Sequence, residues 1–252
     1  MRTTLLPSLL NNFRYNLSRG IRDVRLFEVA KVFIDEGGPL PKEELMLGGV
    51  LFRENLPALW KEDAPSFFIA KGTVDSLFEE MRSKGHSYVP SEEVFLHKGK
   101  SADIMRDEAK IGFIGELSPG VVEKLDLKIN KPEIVMFEMN LDRFFSFVPG
   151  KLTYIQIPKY PAVDRDVAIV LDDGITSAEV MKELTGYRSD LIERVELFDK
   201  YQGKNIPQGK KSLAFSITYR ASGRTLTDSE VEEVHGGLVG YILQKTGGEL
   251  RA

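Results

Sequence analysis

The 252-residue chain has no cysteine. That excludes disulfides, thiolate metal ligands and a cysteine nucleophile, and it fits a reducing compartment. Histidine is scarce: His86, His97 and His235 are the only three, and no two stand at i, i+4 or another ligand spacing, so no zinc site is expected. No apolar run nears the roughly 20 residues needed to span a bilayer, and no charged-then-apolar signal pattern opens the sequence. A cytoplasmic, non-membrane protein is expected. Basic excess is missing too. The formal charge is −4 and neither half is a polycation, so any contact with phosphate must come from locally clustered lysine and arginine. Internal repeats and low-complexity tracts are absent, which argues against a solenoid.

What is present is ordinary globular material, 42% hydrophobic and 29% charged, enough for two modest domains. The clearest boundary is "FVPGKLTYIQIPKYPAVDRD", where Pro149, Gly150, Pro158 and Pro161 interrupt the periodic pattern. It separates residues 1–150 from 155–252. In the second part "RDVAIVL" alternates as a strand, and "TSAEVMKEL" starts a helix at Thr176 or Ser177 with Val180, Met181 and Leu184 on its apolar face. "LIERVELFDKY" and "KSLAFSITY" then alternate around the turn "IPQG", giving an antiparallel pair. "TLTDSEV" opens a second helix with a capping box, Thr227 to Glu230, Gly247 and Gly248 stop it, and "ELRA" is a short last strand. The order βαββαβ predicts a ferredoxin-like domain with one sheet face left open. In "SLAFSITY" the helix-facing set is Leu213, Phe215, Ile217 and Tyr219, with Ser212, Ala214, Ser216 and Thr218 outward.

The first part reads as mixed α+β with a mostly antiparallel sheet. "PSLLNNFRYNLSRG" places Leu9, Leu10, Phe13 and Leu17 at helical spacing before Gly20. "VRLFEVAKVFI" and "KEELMLGGVLF" read as strands, "FFIAKGTVDSLFEEMRSKG" as a strand running into a helix, "AKIGFIGELSPGVVEKLDL" as strand, turn and helix, and "EIVMFEMNLDRFF" as a final strand. The glycines of "GFIGELSPG" lack the order of a phosphate cradle. Asp172 and Asp173, or Glu232 and Glu233, are adjacent and point apart, so general acid–base work is not indicated.

The stretches "MRTTLLPSLLNNFRYNLSRG", "RLFEVAKVF", "AKGTVDSLF", "LHKGKSADI", "IGFIGELSP", "FEMNLD", "KYPAVDRDVAIV", "VELFDKYQGKNIPQGKKSLAFSITY" and "RTLTDSEV" stand in the order found in one family. Through them essentially the whole chain resembles the C-terminal part of the bacterial phenylalanyl-tRNA synthetase β subunit. Lys98 and Ser118 depart from the family pattern at positions where proline and histidine are usual. The resemblance implies a fragment, or a split form, of a longer chain. It implies an α+β architecture in which an incomplete class II synthetase-like antiparallel sheet domain precedes a ferredoxin-fold anticodon-binding domain. It also implies a parent ligase that attaches phenylalanine to tRNA(Phe) with ATP and magnesium, in an (αβ)₂ assembly. Ile34 stands where the catalytic counterpart has a phosphate-binding arginine, and no glycine-rich third motif follows "VMFEMNLDRFF". The first domain is therefore expected to be catalytically inactive and to hold no cofactor, its partner being the α subunit. A start inside such a domain leads to the expectation that "LLPSLLNNF" or its neighbours leave apolar surface exposed.

The anticodon stem-loop is the partner expected for the second domain. Its candidate contacts are the cations Arg165, Lys200, Lys204, Lys210, Lys211, Arg220 and Arg224 around the open sheet face, with Tyr160 and Tyr201 as stacking rings. The rival for Tyr201 is a place in the hairpin core. For the whole domain the alternative is a non-catalytic ferredoxin-like interaction or small-ligand-binding regulatory module.

Overall fold

The computed structural model describes residues 1–54, 66–127, 132–151, 154, 156–187 and 190–251. Two compact units divide the chain, Met1–Thr153 and Tyr154–Ala252.

The first unit opens with α1 (Leu6–Ser18), β1 (Asp23–Ile34) and β2 (Lys42–Arg53), followed by α2 (Ser66–Glu80), β3 (His86–Pro90), β4 (Leu96–Arg106) and β5 (Ala109–Leu117). It closes with α3 (Pro119–Lys124), β6 (Val135–Asn140) and α4 (Leu141–Ser146). Its six strands form one antiparallel sheet in the order β1-β2-β6-β5-β4-β3. β6 lies at the centre, and all six of its residues are buried. Helices cover both faces. On one, Leu9, Phe13 and Leu17 of α1 pack with Val24, Val50, Phe52 and Met136. On the other, Ala70, Val74 and Phe78 of α2 pack with Ile104, Ile114, Phe137 and Met139. Each such side chain contributes roughly 1.5–3 kcal/mol by leaving water.

Two glycines of β2 make this double packing possible. A Cβ on Gly48 would sit 3.0 Å from the Leu9 side chain, and one on Gly49 would sit 2.3 Å from the Phe137 ring. The start of α1 is held by Glu138 of β6, which accepts from the Leu5 amide at 2.6 Å and from Thr4 Oγ1 at 2.9 Å. Burial pushes that carboxyl up, and the two donors only partly offset it.

Three expectations for this unit need correction or refinement. "FFIA" is not a strand: it forms the first turn of α2, because Ala70, Val74 and Phe78 recur every four residues and select a helix. "EIVMFEMNLDRFF" does not run on as a strand, since Asn140 turns the chain and caps α4 by accepting from the Arg143 amide at 2.9 Å. The third concerns "LLPSLLNNF" or its neighbours: Leu5, Leu6, Leu9 and Phe13 are buried, and the exposed apolar groups near them are Tyr15 and Ile21, with Phe27 and Val29 exposed on the edge strand β1.

The second unit runs β7 (Val163–Asp172), α5 (Ser177–Gly186), β8 (Ile192–Tyr201), β9 (Lys210–Tyr219), α6 (Asp228–Thr246) and β10 (Glu249–Leu250). The strand order β10-β7-β9-β8, all antiparallel, is that of a βαββαβ ferredoxin-like sheet. Both helices begin with complete capping boxes, Thr176 with Glu179 and Thr227 with Glu230. α6 ends at Gly247 in the left-handed region, φ +63°. Leu213, Phe215, Ile217 and Tyr219 face the helices and pack with Val180, Leu184, Val231, Leu238 and Ile242. The opposite side of β9 is less open than alternation suggests: Ser212, Ala214 and Thr218 are buried, because β9 lies between β7 and β8 and flanking side chains close over small residues.

Candidate nucleic-acid interface

The helix-free face of the second unit is laid out by strand register, since directly paired residues of antiparallel strands share a face. Along β9 this face carries Ser212, Ala214, Ser216 and Thr218. Opposite them on β7 stand Val170, Ala168, Asp166 and Asp164. Along β8 the pairing starts with Ile192 on Tyr219, shifts once before Arg194, and then keeps Val195 with Ile217 and Leu197 with Phe215 on the helix side. It then slips by one, so that Asp199 pairs with Ala214 and Tyr201 with Ser212. This β-bulge leaves Phe198 as the extra residue and moves Asp199 and Tyr201 to the open face. Unbroken alternation would have sent Tyr201 toward the helices.

The two ends of the face differ in charge. Around Thr218 it is acidic, with Asp164, Asp166 and Glu196. Thr218 donates to Asp164 at 2.6 Å, and Arg194 is paired with Glu196 at 3.2 Å. Around Ser212 the register brings Asp172, Asp199 and Glu249 to the same face as Lys210 and Arg251, among small side chains, and there Tyr201 is half-buried with the Arg251 guanidinium 4.7 Å from its ring centre. Arg251 is anchored through its amide to the Ala168 carbonyl at 2.9 Å, and Gly203 lies so close to the Tyr201 hydroxyl that a Cβ there would approach it to 2.4 Å. The ring is thus fixed at one end of an open sheet.

The nine candidate residues do not form one cluster. Lys200, Tyr201, Lys204 and Lys210 gather at the Ser212 end. Tyr160 and Arg220 lie at the other end of β9, about 30 Å away at 3.3 Å per residue. There Arg220 donates to Glu193 at 2.7 Å and to the Tyr160 carbonyl at 2.8 Å, beside a cleft of about 510 Å³ lined also by Lys159 and Asp190. Arg224 is bound to Glu230 at 2.6 Å, which together with the Thr227 donors holds the Glu230 carboxyl down at about 2. Arg165 stands 3.8 Å from Asp228 at the start of α6. Lys211 is not at the rim: its parity turns it to the helix side, where it is 7% exposed and donates to the Asp173 carbonyl at 2.7 Å. Lys210 lies 3.8 Å from Glu249. Lys200 and Lys204 are exposed, and neither has a carboxylate partner among the described residues.

Arg251 was missed in the sequence reading. Its only signal was a basic residue two places after Glu249 in "ELRA", hence on the same face of a last strand. Phe198, 59% exposed at the bulge, was read as part of the alternation.

Polar clusters elsewhere serve the fold. Asp75 of α2 accepts from His86 Nε2 at 2.9 Å, Tyr88 at 2.6 Å and Lys71 at 2.7 Å. Burial alone would raise this carboxyl, but the three donors outweigh it and hold it well below the usual range. His97 accepts from the Gly99 amide at 3.1 Å, and His235 shares a 3.0 Å hydrogen bond with Tyr219. Among the described residues no three His, Asp or Glu side chains gather as metal ligands, and no helix is long and apolar enough to cross a membrane.

Comparison with known proteins adds to this geometry. The family described as phenylalanyl tRNA synthetase beta chain CLM domain matches residues 1–141, and the ferredoxin-fold anticodon binding domain matches residues 158–251. The chain is 37% identical over its full length to the phenylalanine–tRNA ligase beta subunit of Syntrophus aciditrophicus and 36% identical to that of Bacillus cereus. It spans 31% of the length of each relative. Among solved structures, a pyrrolysyl tRNA synthetase of Desulfitobacterium hafniense is similar over 57% of this chain and 49% of that one, at 18% identity and a TM-score of 0.44.

Proposed function

The chain belongs to the phenylalanyl tRNA synthetase beta chain family, and from that membership we propose that its second unit binds the anticodon loop of tRNA(Phe) through the Ser212 end of its open sheet face. The observation that carries this reading is the Tyr201–Arg251 platform, followed in the next loop by the exposed Lys204, which has no carboxylate partner among the described residues. A base that has left its helix finds a π-surface on a ring already fixed by Arg251 and Gly203, so little side-chain entropy is lost on binding. Asp199, exposed on the same face, offers an acceptor to the edge of that base. Phosphates follow Lys204 and Lys210. In this reading Arg165, Arg220 and Arg224, each beside a carboxylate, and Tyr160 at the far end of β9 stay outside the first contact.

The first unit supports a non-catalytic role. Ile34, half-buried beside the α1 side of the core, cannot neutralise a triphosphate, and Glu138 already occupies the N-terminus of α1. In this reading the unit packs on the α subunit of a cytoplasmic ligase, and ATP and magnesium act in that longer assembly. Titration of the chain with tRNA(Phe) transcripts tests the proposal. Native anticodon loop should bind more tightly than a scrambled loop on the same body, and equal affinity for both would refute anticodon recognition.

A further inference from the structure

We infer that Phe198 is a second stacking surface, which receives the unpaired base next to the one on Tyr201; this rests on the RNA-binding reading above. Phe198 is the residue inserted by the register slip between Leu197 and Asp199, and it is 59% exposed on an edge strand. Leu197 beside it is 37% exposed. An apolar ring in that position either packs, pairs or binds. It packs poorly, as its exposure shows. Strand addition along this edge is disfavoured, because a bulge breaks the regular ladder that an added strand needs. What remains suited to the ring is a flat apolar partner.

Charge narrows the partner further. Along the chain Phe198 is flanked by Leu197 and Asp199; the exposed Lys200 follows, paired with Leu213, and Lys204 lies in the next loop with no carboxylate partner among the described residues. Phe198 and Tyr201 are three residues apart, so their backbones are separated by no more than about 10 Å. Two successive unstacked nucleotides can cover that span, one base on each ring, with phosphates toward the lysines. Base–aromatic stacking is tolerant of sequence, so Phe198 contributes affinity more than selectivity.

The test uses the full chain and an RNA hairpin carrying the tRNA(Phe) anticodon loop, with a fluorescent adenine analogue at single loop positions. Phe198→Ala should weaken binding roughly five- to 150-fold with the salt dependence unchanged, since no phosphate contact is lost. Phe198→Trp should keep the affinity, whereas Phe198→Leu, which retains apolar bulk without a π-face, should lose most of it. One loop position should also show quenching that Phe198→Ala removes and Tyr201→Ala does not. If Tyr201→Ala weakens binding while Phe198→Ala leaves it intact, the inference is overturned and the RNA-binding reading stands. Equal affinity for Phe198→Leu and Phe198→Trp also overturns it, by reducing the residue to apolar packing, and this comparison serves if Phe198→Ala proves too unstable to measure. Absence of hairpin binding by the unsubstituted chain removes both readings.

Discussion

The two units use an antiparallel sheet in opposite ways. In the first, helices cover both faces, the central strand β6 is buried throughout, and the N-terminus of α1 is taken by Glu138. In the second, both long helices lie on one face, and the other carries a fixed ring with exposed lysines. A sheet covered by helices on both sides has committed most of its side chains to cohesion, with Phe27 and Val29 of the edge strand β1 left exposed. A sheet buried on one side keeps every second residue for another partner. The proposed RNA contact therefore falls on the second unit.

Substitutions sharpen that contrast. The largest effects are expected in the cores: Phe13→Ala in the first unit and Phe215→Ala in the second should each cost about 3–5 kcal/mol of unfolding free energy in denaturant titrations. Glycines should separate the units more cleanly. A Cβ on Gly112 would stand 2.2 Å from the Glu138 carbonyl oxygen, which is backbone and cannot swing aside. Gly112→Ala should therefore destabilise the first unit by roughly 1–3 kcal/mol. At Gly203 the obstruction is the end of the Tyr201 side chain, so Gly203→Ala should leave the melting temperature nearly unchanged and weaken RNA binding instead. A large loss of stability there, with affinity intact, would assign Tyr201 to the core.

Smaller effects follow from pH. The Asp75 carboxyl is lowered in the folded protein, so its contribution is complete above its ordinary value of 3.8 and is lost as pH falls below it. Asp75→Asn should cost about 2 kcal/mol at neutral pH and flatten the acid limb of the stability curve. His235 is shifted down as well, chiefly by burial, with Arg165 adding to the shift and Asp166 opposing it. The unfolded chain takes up the proton first, so stability should decline as pH drops below 6.5, and His235→Gln should remove that decline. Stability measured from about pH 2 to about pH 8 would detect both slopes, and a flat profile between about pH 4 and 8 in the unsubstituted chain would contradict the neutral Tyr219–His235 contact.

Much of the second unit was legible because its signals are local. Capping boxes at Thr176 and Thr227, alternation from Leu213 to Tyr219 and the stop at Gly247 each act within a few residues. The first unit was harder to read. β3 and β4 were not anticipated, since His86–Pro90 and Leu96–Arg106 mix charged and small residues and become strands by pairing with neighbours distant in sequence. The candidate site was legible in its residue types but not in its arrangement. Lys211 follows Lys210 directly, and adjacent residues of a strand point to opposite faces, so only one of the pair can reach the rim.

Sequence by itself determined the family and the helix-facing set of β9, because motif order and period-two burial are written along the chain. Tertiary structure alone decided where Tyr201 points. A single-residue slip in the β8–β9 pairing reverses the face of every residue after it, and that slip belongs to the pairing of two strands rather than to either one. It alone also decided that Arg251, fifty residues later in sequence, closes over the same ring, because the last strand returns to the edge of β7 and lays a long side chain across small residues.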